Sequence, residues 1–141
     1  MVTVDTIKKA ISAFNRHDAK GVGGSYAPKT VVHDPQYPEP LKGRDAVLKD
    51  AQAFFKAFPD MKMKVVTLLS KGNTYGVEGR YSGTHKGPLE GPGGPIPPTN
   101  RRVDAGISIF GKVDAGGLIV EERRYYDIAT LMAQLGIKSG S

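Results

Sequence analysis

Apolar residues recur three and four positions apart at Ile7, Ala10, Ile11 and Phe14, a spacing that lays one apolar stripe along a helix of about four turns. Thr3 or Asp5 is placed to cap its start. A second helix is expected from Asp18 to Tyr26, where Gly21, Gly23 and Gly24 each cost about 1 kcal/mol of intrinsic helix stability against alanine, so packing has to hold it. Thr30 to His33 is a β-branched run halted by Asp34 and Pro35, and it reads as a short edge strand. Val47, Leu48, Ala51, Phe54, Phe55 and Phe58 form the broadest apolar helical face, which Pro59 ends. Four extended stretches follow: Lys62 to Ser70, Thr74 to His85, Arg102 to Lys112 and Leu118 to Tyr126. The turn residues around Gly72 and at Asp114 to Gly117 make these strands antiparallel neighbours. Asp127 caps a last short helix through Leu135, with Gly136 as its stop.

Helices first and a strand meander afterwards predict an α+β fold in a single domain over residues 1–141. Residues 86–100 interleave Pro88, Pro92, Pro95, Pro97 and Pro98 with four glycines, and no regular structure is expected there. Such a loop is either a lid over a site or a long connection with no role of its own. Residues 137–141 are expected to form a flexible tail.

With 39% hydrophobic and 24% charged residues, the chain has enough apolar side chain to offset the entropy of ordering one core. It contains no cysteine, which excludes disulfides, thiol catalysis and thiolate metal sites and fits a reducing compartment. Asp5, Lys8 and Lys9 interrupt the N-terminal segment, so it does not read as a signal peptide, and no run reaches the ~20 apolar residues of a membrane span. A soluble cytoplasmic protein without a membrane partner is expected. The net charge of +6 raises the question of nucleic acid, but the basic residues are spread from Lys8 to Lys138. The densest pairs, Arg101-Arg102 and Arg123-Arg124, have Asp104 and Glu121-Glu122 beside them, so a mixed solvated surface is expected instead.

Alternation along Thr74 to His85 puts Tyr75, Val77, Gly79, Tyr81, Gly83 and His85 on one face. A histidine there is either a general acid or base, since imidazole titrates near neutral pH, or a histidine that satisfies a hydrogen bond at a pocket rim. His33 and Asp34 are adjacent and face opposite ways unless the strand has already ended. In the last strand Glu122, Arg124 and Tyr126 share one face and Glu121, Arg123 and Tyr125 the other, so each face holds an acid and a base and parity alone does not choose between them. No GxGxxG opens a helix, no P-loop or HExxH occurs, and no histidine cluster has metal spacing, so neither a cofactor nor a metal is expected.

Several short motifs, taken in order, resemble SnoaL-like proteins of the broad nuclear transport factor 2-like superfamily, which includes polyketide ring cyclases and ketosteroid isomerase-like proteins. They are Ala13-Phe14-Asn15, Gly43-Arg44-Asp45-Ala46, Phe58-Pro59-Asp60, Gly83-Thr84-His85-Lys86-Gly87, Pro97-Pro98-Thr99-Asn100-Arg101-Arg102-Val103, Glu121 and Gln134-Leu135-Gly136. The resemblance implies a cone-shaped, mostly antiparallel sheet wrapped around N-terminal helices and enclosing a pocket. It also implies a homodimer formed through the sheet and cofactor-free acid/base chemistry on a small hydrophobic carbonyl compound. The family's acid/base aspartate lies on the last strand, three residues before the aspartate that opens the final helix, and here that position is Arg124. Arginine stays protonated and cannot be the base, although it can hold an enolate or carboxylate. The carry-over turns Glu122, Arg124 and Tyr126 toward the pocket. His85, Glu122 and Asp34 are therefore the expected acid/base candidates, and Arg124, Tyr126, Tyr81, Phe54 and His33 the expected ligand-binding residues. Two functions compete: a cyclase- or isomerase-like enzyme, and a non-catalytic small-molecule binding protein with the same pocket.

Overall fold

The apolar stripe of the first helix, α1 (Val2–Asn15), buries Ile7 and Ala13. The structure, a computed structural model, describes residues 2–91 and 94–137. Thr3 does not cap α1, because its hydroxyl instead donates to Gly72 O at 2.9 Å and ties the helix to a distant turn. The second helix is shorter than its apolar run suggests: α2 spans Ala19–Gly23, with the Asp18 carboxylate accepting from Gly21 N as its cap. The glycines that end it release Tyr26 into strand β1 (Tyr26–His33). After the two-residue β2 (Leu41–Lys42), α3 (Arg44–Ala57) carries Val47 and Ala51 into the core and stops at Phe58, before Pro59.

The four long strands follow the expected order as β3 (Lys62–Lys71), β4 (Thr74–Thr84), β7 (Arg102–Val113) and β8 (Ile119–Tyr125), and Asp127 caps α4 (Ile128–Gln134). Gly136 takes the left-handed φ of 78° that closes this helix. The main sheet has six strands in the order β2-β1-β8-β7-β4-β3. All its pairings are antiparallel except β1 with β8, which run parallel. The fold is α+β, with helices on the inner face of a mostly antiparallel sheet.

Three expectations are corrected. First, β1 is not an edge strand: it lies between β2 and β8, and the ladder to β8 breaks between Tyr26 and Val31, around Pro28, which has no N–H to offer. Second, residues 86–100 are not irregular throughout, because β5 (Leu89–Gly91) and β6 (Gly94–Ile96) pair as a small hairpin. Its base is fastened by hydrogen bonds from Lys86 N and Gly87 N to Ala57 O and from Asn100 N to His85 O, and Leu89 is buried. Third, Ile137 is packed: it lies against the second core cluster and its N–H donates to Met132 O. The rest of the expected tail lies outside the described residues.

Candidate active site

The core divides in two. One cluster centres on Ile7, Tyr26, Val47, Tyr75 and Ile119, and the other on Phe58, Met61, Tyr81, Val103 and Leu131. Between them, under α1 and α3, lies a cavity of about 130 Å³. That is close to the roughly 150 Å³ of an engineered apolar cavity that takes up benzene. Most of its wall is apolar, with Ile11, Phe14 and Phe54 from the helices and Val77, Ile107 and Ile109 from the sheet.

The polar wall is a single network centred on Arg124, which β8 directs inward. Its Nε donates to Glu122 Oε2 at 2.9 Å, and its Nη1 donates to both Asp34 Oδ2 at 3.1 Å and Asp50 Oδ2 at 3.0 Å. Three carboxylates thus surround one guanidinium. Each also accepts from a phenol: Glu122 from Tyr26 and Tyr75 at 2.7 Å, Asp50 from Tyr37 at 2.6 Å and Asp34 from Tyr126 at 2.5 Å. Burial, and after it the charge of the neighbouring carboxylate, raises the pKa of all four phenols well above the ordinary value, so they stay protonated donors. Burial opposes the charge of Arg124, but the carboxylates of Glu122, Asp50 and Asp34 around it outweigh that effect and hold the guanidinium firmly protonated.

Asp34 reaches this network because β1 has ended. His33 is exposed on the far side, whereas Asp34 turns in and its Oδ1 also accepts from Gln36 N at 2.9 Å. A bulge at Val120 shifts the alternation of β8: Ile119 pairs with Val113 and Glu121 with Lys112, leaving Val120 without an opposite residue. Ile119, Glu122, Arg124 and Tyr126 therefore all line the cavity.

Of the expected site residues, Asp34, Glu122, Arg124, Tyr126, Tyr81 and Phe54 line one cavity. His33 and His85 do not. His85 is fully buried beside Phe58, with ring centroids 5.4 Å apart, and its Nδ1 accepts from Thr99 N at 3.1 Å. It acts as a clasp at the foot of the hairpin, and desolvation lowers its pKa, which keeps it neutral. Arg124 donates to its own carboxylates through Nε and Nη1, and its Nη2 donates to the Tyr26 hydroxyl at 3.4 Å.

Asp50, Tyr26, Tyr37 and Tyr75 belong to the network and were not anticipated. Asp50 did leave a signal: it lies three residues after Val47 and four before Phe54, so it is a carboxylate on the apolar face of α3. Tyr26 was hidden by its assignment to a helix, and Tyr37 by the proline-broken loop around it. Among the described residues, no group of three or more His, Cys, Asp or Glu is arranged to hold a metal ion, and no helix is long and apolar enough to cross a membrane.

The family model for SnoaL-like polyketide cyclases matches residues 5–135. The chain is similar over its length to IdmH, a candidate polyketide cyclase from Streptomyces antibioticus, with 30% identity, 96% of this chain and 99% of that one covered, and a TM-score of 0.75. AclR, a candidate hydroxylase from Streptomyces galilaeus, shares the fold at 21% identity, with 95% of both chains covered and a TM-score of 0.79. So does a protein with a ketosteroid isomerase-like fold from Catenulispora acidiphila, solved in complex with trimethylamine, at 15% identity, covering 96% of this chain and 95% of that one, with a TM-score of 0.77. No curated protein matches the chain at a significant level.

Proposed function

The chain belongs to the SnoaL-like polyketide cyclase family, and on that premise we propose that it is an enzyme carrying out cofactor-free acid/base chemistry on a small hydrophobic carbonyl compound, with Asp50 as the acid/base group and Asp34 beside it on Arg124. One observation carries this reading: an apolar cavity whose polar wall holds three largely enclosed carboxylates, with Glu122 buried and Asp34 and Asp50 half-buried, on a single guanidinium.

The hydrogen bonds distinguish the carboxylates. A carboxylate offers about four lone-pair positions. Glu122 accepts from Tyr26, Tyr75 and Arg124, and Asp34 from Tyr126, Gln36 N and Arg124. Asp50 accepts only from Tyr37 and Arg124 and has the most exposed side chain of the three, at 12% against 6% for Asp34 and 5% for Glu122. Asp50 therefore has the most acceptor capacity left to take a proton from a ligand, and Asp34, on the same Nη1, is its partner. Glu122 is the fixed anchor that orients Arg124. In this family position an arginine replaces the aspartate, and the carboxylates come instead from the start of the loop after β1 and from α3.

In the step proposed, Asp50 takes the proton next to a ligand carbonyl. The resulting enolate carbon bonds to a second carbonyl carbon of the same molecule, and protonated Asp50 returns the proton to the new alkoxide. The apolar wall excludes water that would otherwise quench the enolate. Incubation with a synthetic aryl poly-β-ketone tests this: the wild type is expected to form a cyclised product, and to do so equally after dialysis against EDTA. Asp50→Asn should lower the rate about a hundredfold or more.

A non-catalytic binding protein is the second reading, favoured by the donor already present on every carboxylate oxygen of the network. Ligand binding without turnover would select it. The proposal also includes a homodimer through the outer face of the sheet, supported by the exposed Val66, Leu69, Phe110 and Tyr125, of which the last two stack edge to face. A cytoplasmic location is proposed from the absence of cysteine.

A further inference from the structure

The tyrosines of the cavity wall are not equivalent. Tyr26, Tyr75 and Tyr126 each donate to a carboxylate of the Arg124 network. Tyr81 lines the same cavity from the inner face of β4 and is only 5% exposed, yet its hydroxyl has no hydrogen-bond partner among the described residues. A desolvated hydroxyl without a partner is costly and uncommon, so it calls for an explanation. The surrounding side chains do not supply one: Phe54, Ile107 and Leu131 have no acceptor, and the Tyr126 hydroxyl, which donates to Asp34, makes no hydrogen bond with Tyr81.

Resting on the reading that the cavity receives an organic ligand, we propose that the Tyr81 hydroxyl donates to a carbonyl oxygen of that ligand, so that the site selects compounds presenting an oxygen acceptor at its Tyr126–Leu131 end. The placement fits. The Tyr81 and Tyr126 rings meet edge to face with centroids 5.9 Å apart, and the Tyr126 hydroxyl reaches Asp34. A ligand whose carbonyl oxygen meets Tyr81 therefore shares the cavity with Asp34 and Asp50, which line it too. Burial, followed by the charges of Asp127 and Asp34, pushes the Tyr81 phenol up to about 12, so it remains a donor across the physiological range. The inference adds to the acid/base reading a donor for the oxygen on which charge develops.

Two ligands of nearly the same shape separate this role from simple packing: acetophenone, which has a carbonyl, and ethylbenzene, which does not. Tyr81→Phe removes a hydroxyl without a protein partner and should fold at least as stably as wild type, which thermal unfolding checks. Acetophenone is expected to bind this variant about threefold to tenfold more weakly than wild type, with ethylbenzene unchanged. The carbonyl stretch of bound, 13C-labelled acetophenone should also lie at lower frequency in wild type than in Tyr81→Phe. An unchanged stretch, or an equal loss for both ligands, overturns the assignment. If Asp50→Asn leaves turnover intact while Tyr81→Phe shows the selective loss, the acid/base reading falls and this inference stands. If wild type binds neither compound, both fall.

Discussion

Arg124 holds three acidic side chains that would otherwise be buried close together without a counter-charge. Removing one partner of a buried ion pair costs about 3–5 kcal/mol, because the remaining charge is left without compensation. Arg124→Ala is therefore expected to lower the urea midpoint severely, and a midpoint within experimental error of wild type would mean that the network contributes no cohesion. His85 makes a separate prediction. Desolvation lowers its folded-state pKa below the roughly 6.5 of an unfolded histidine, so the unfolded chain takes up the proton more readily. The stabilising contribution is thus complete above that value and lost as pH falls below it, where a protonated Nδ1 can no longer accept from Thr99 N. Urea midpoints at pH 7 and pH 5 should differ less in His85→Gln than in wild type, and equal differences would show that His85 is not the responsive group.

The elements were legible where one periodicity was undisturbed. Ile7, Ala10, Ile11 and Phe14 announce α1, and alternation through Tyr75, Val77 and Tyr81 correctly assigns the inner face of β4. Legibility failed where a local irregularity changed the phase. The bulge at Val120 brings Ile119 inward together with Glu122, which strict alternation forbids, and the interruption around Pro28 hides that Tyr26 begins a strand. The candidate site was half legible for a related reason: Glu122, Arg124 and Tyr126 share one strand face, whereas Asp34, Asp50 and Tyr37 converge only through the fold. Gly111 of β7 shows how closely these elements meet. A Cβ at this position would run into Glu121 O and into the Tyr75 ring and hydroxyl, the same hydroxyl that donates to Glu122. Gly111→Ala is expected to cost about 1–3 kcal/mol and to displace Tyr75, and thermal unfolding with a wild-type midpoint would contradict that.

At the scale of the molecule, the two faces of the sheet do different work. The inner face is packed against helices around the cavity, while the outer face leaves Val66, Leu69, Phe110 and Tyr125 exposed. Sedimentation at micromolar concentration is expected to give a particle of twice the 15.1 kDa chain, and Leu69→Lys with Phe110→Lys should return it to the monomer mass. A wild type that sediments as a monomer rejects the dimer. The central claim is that the cavity removes a proton beside a ligand carbonyl, and it is tested most directly by following deuterium incorporation from D2O into the methyl group of acetophenone by NMR. The account predicts that wild type accelerates this exchange over buffer and that Asp50→Asn slows it about a hundredfold or more, toward the buffer rate. Exchange at the buffer rate with wild type, or undiminished exchange with Asp50→Asn, would contradict it.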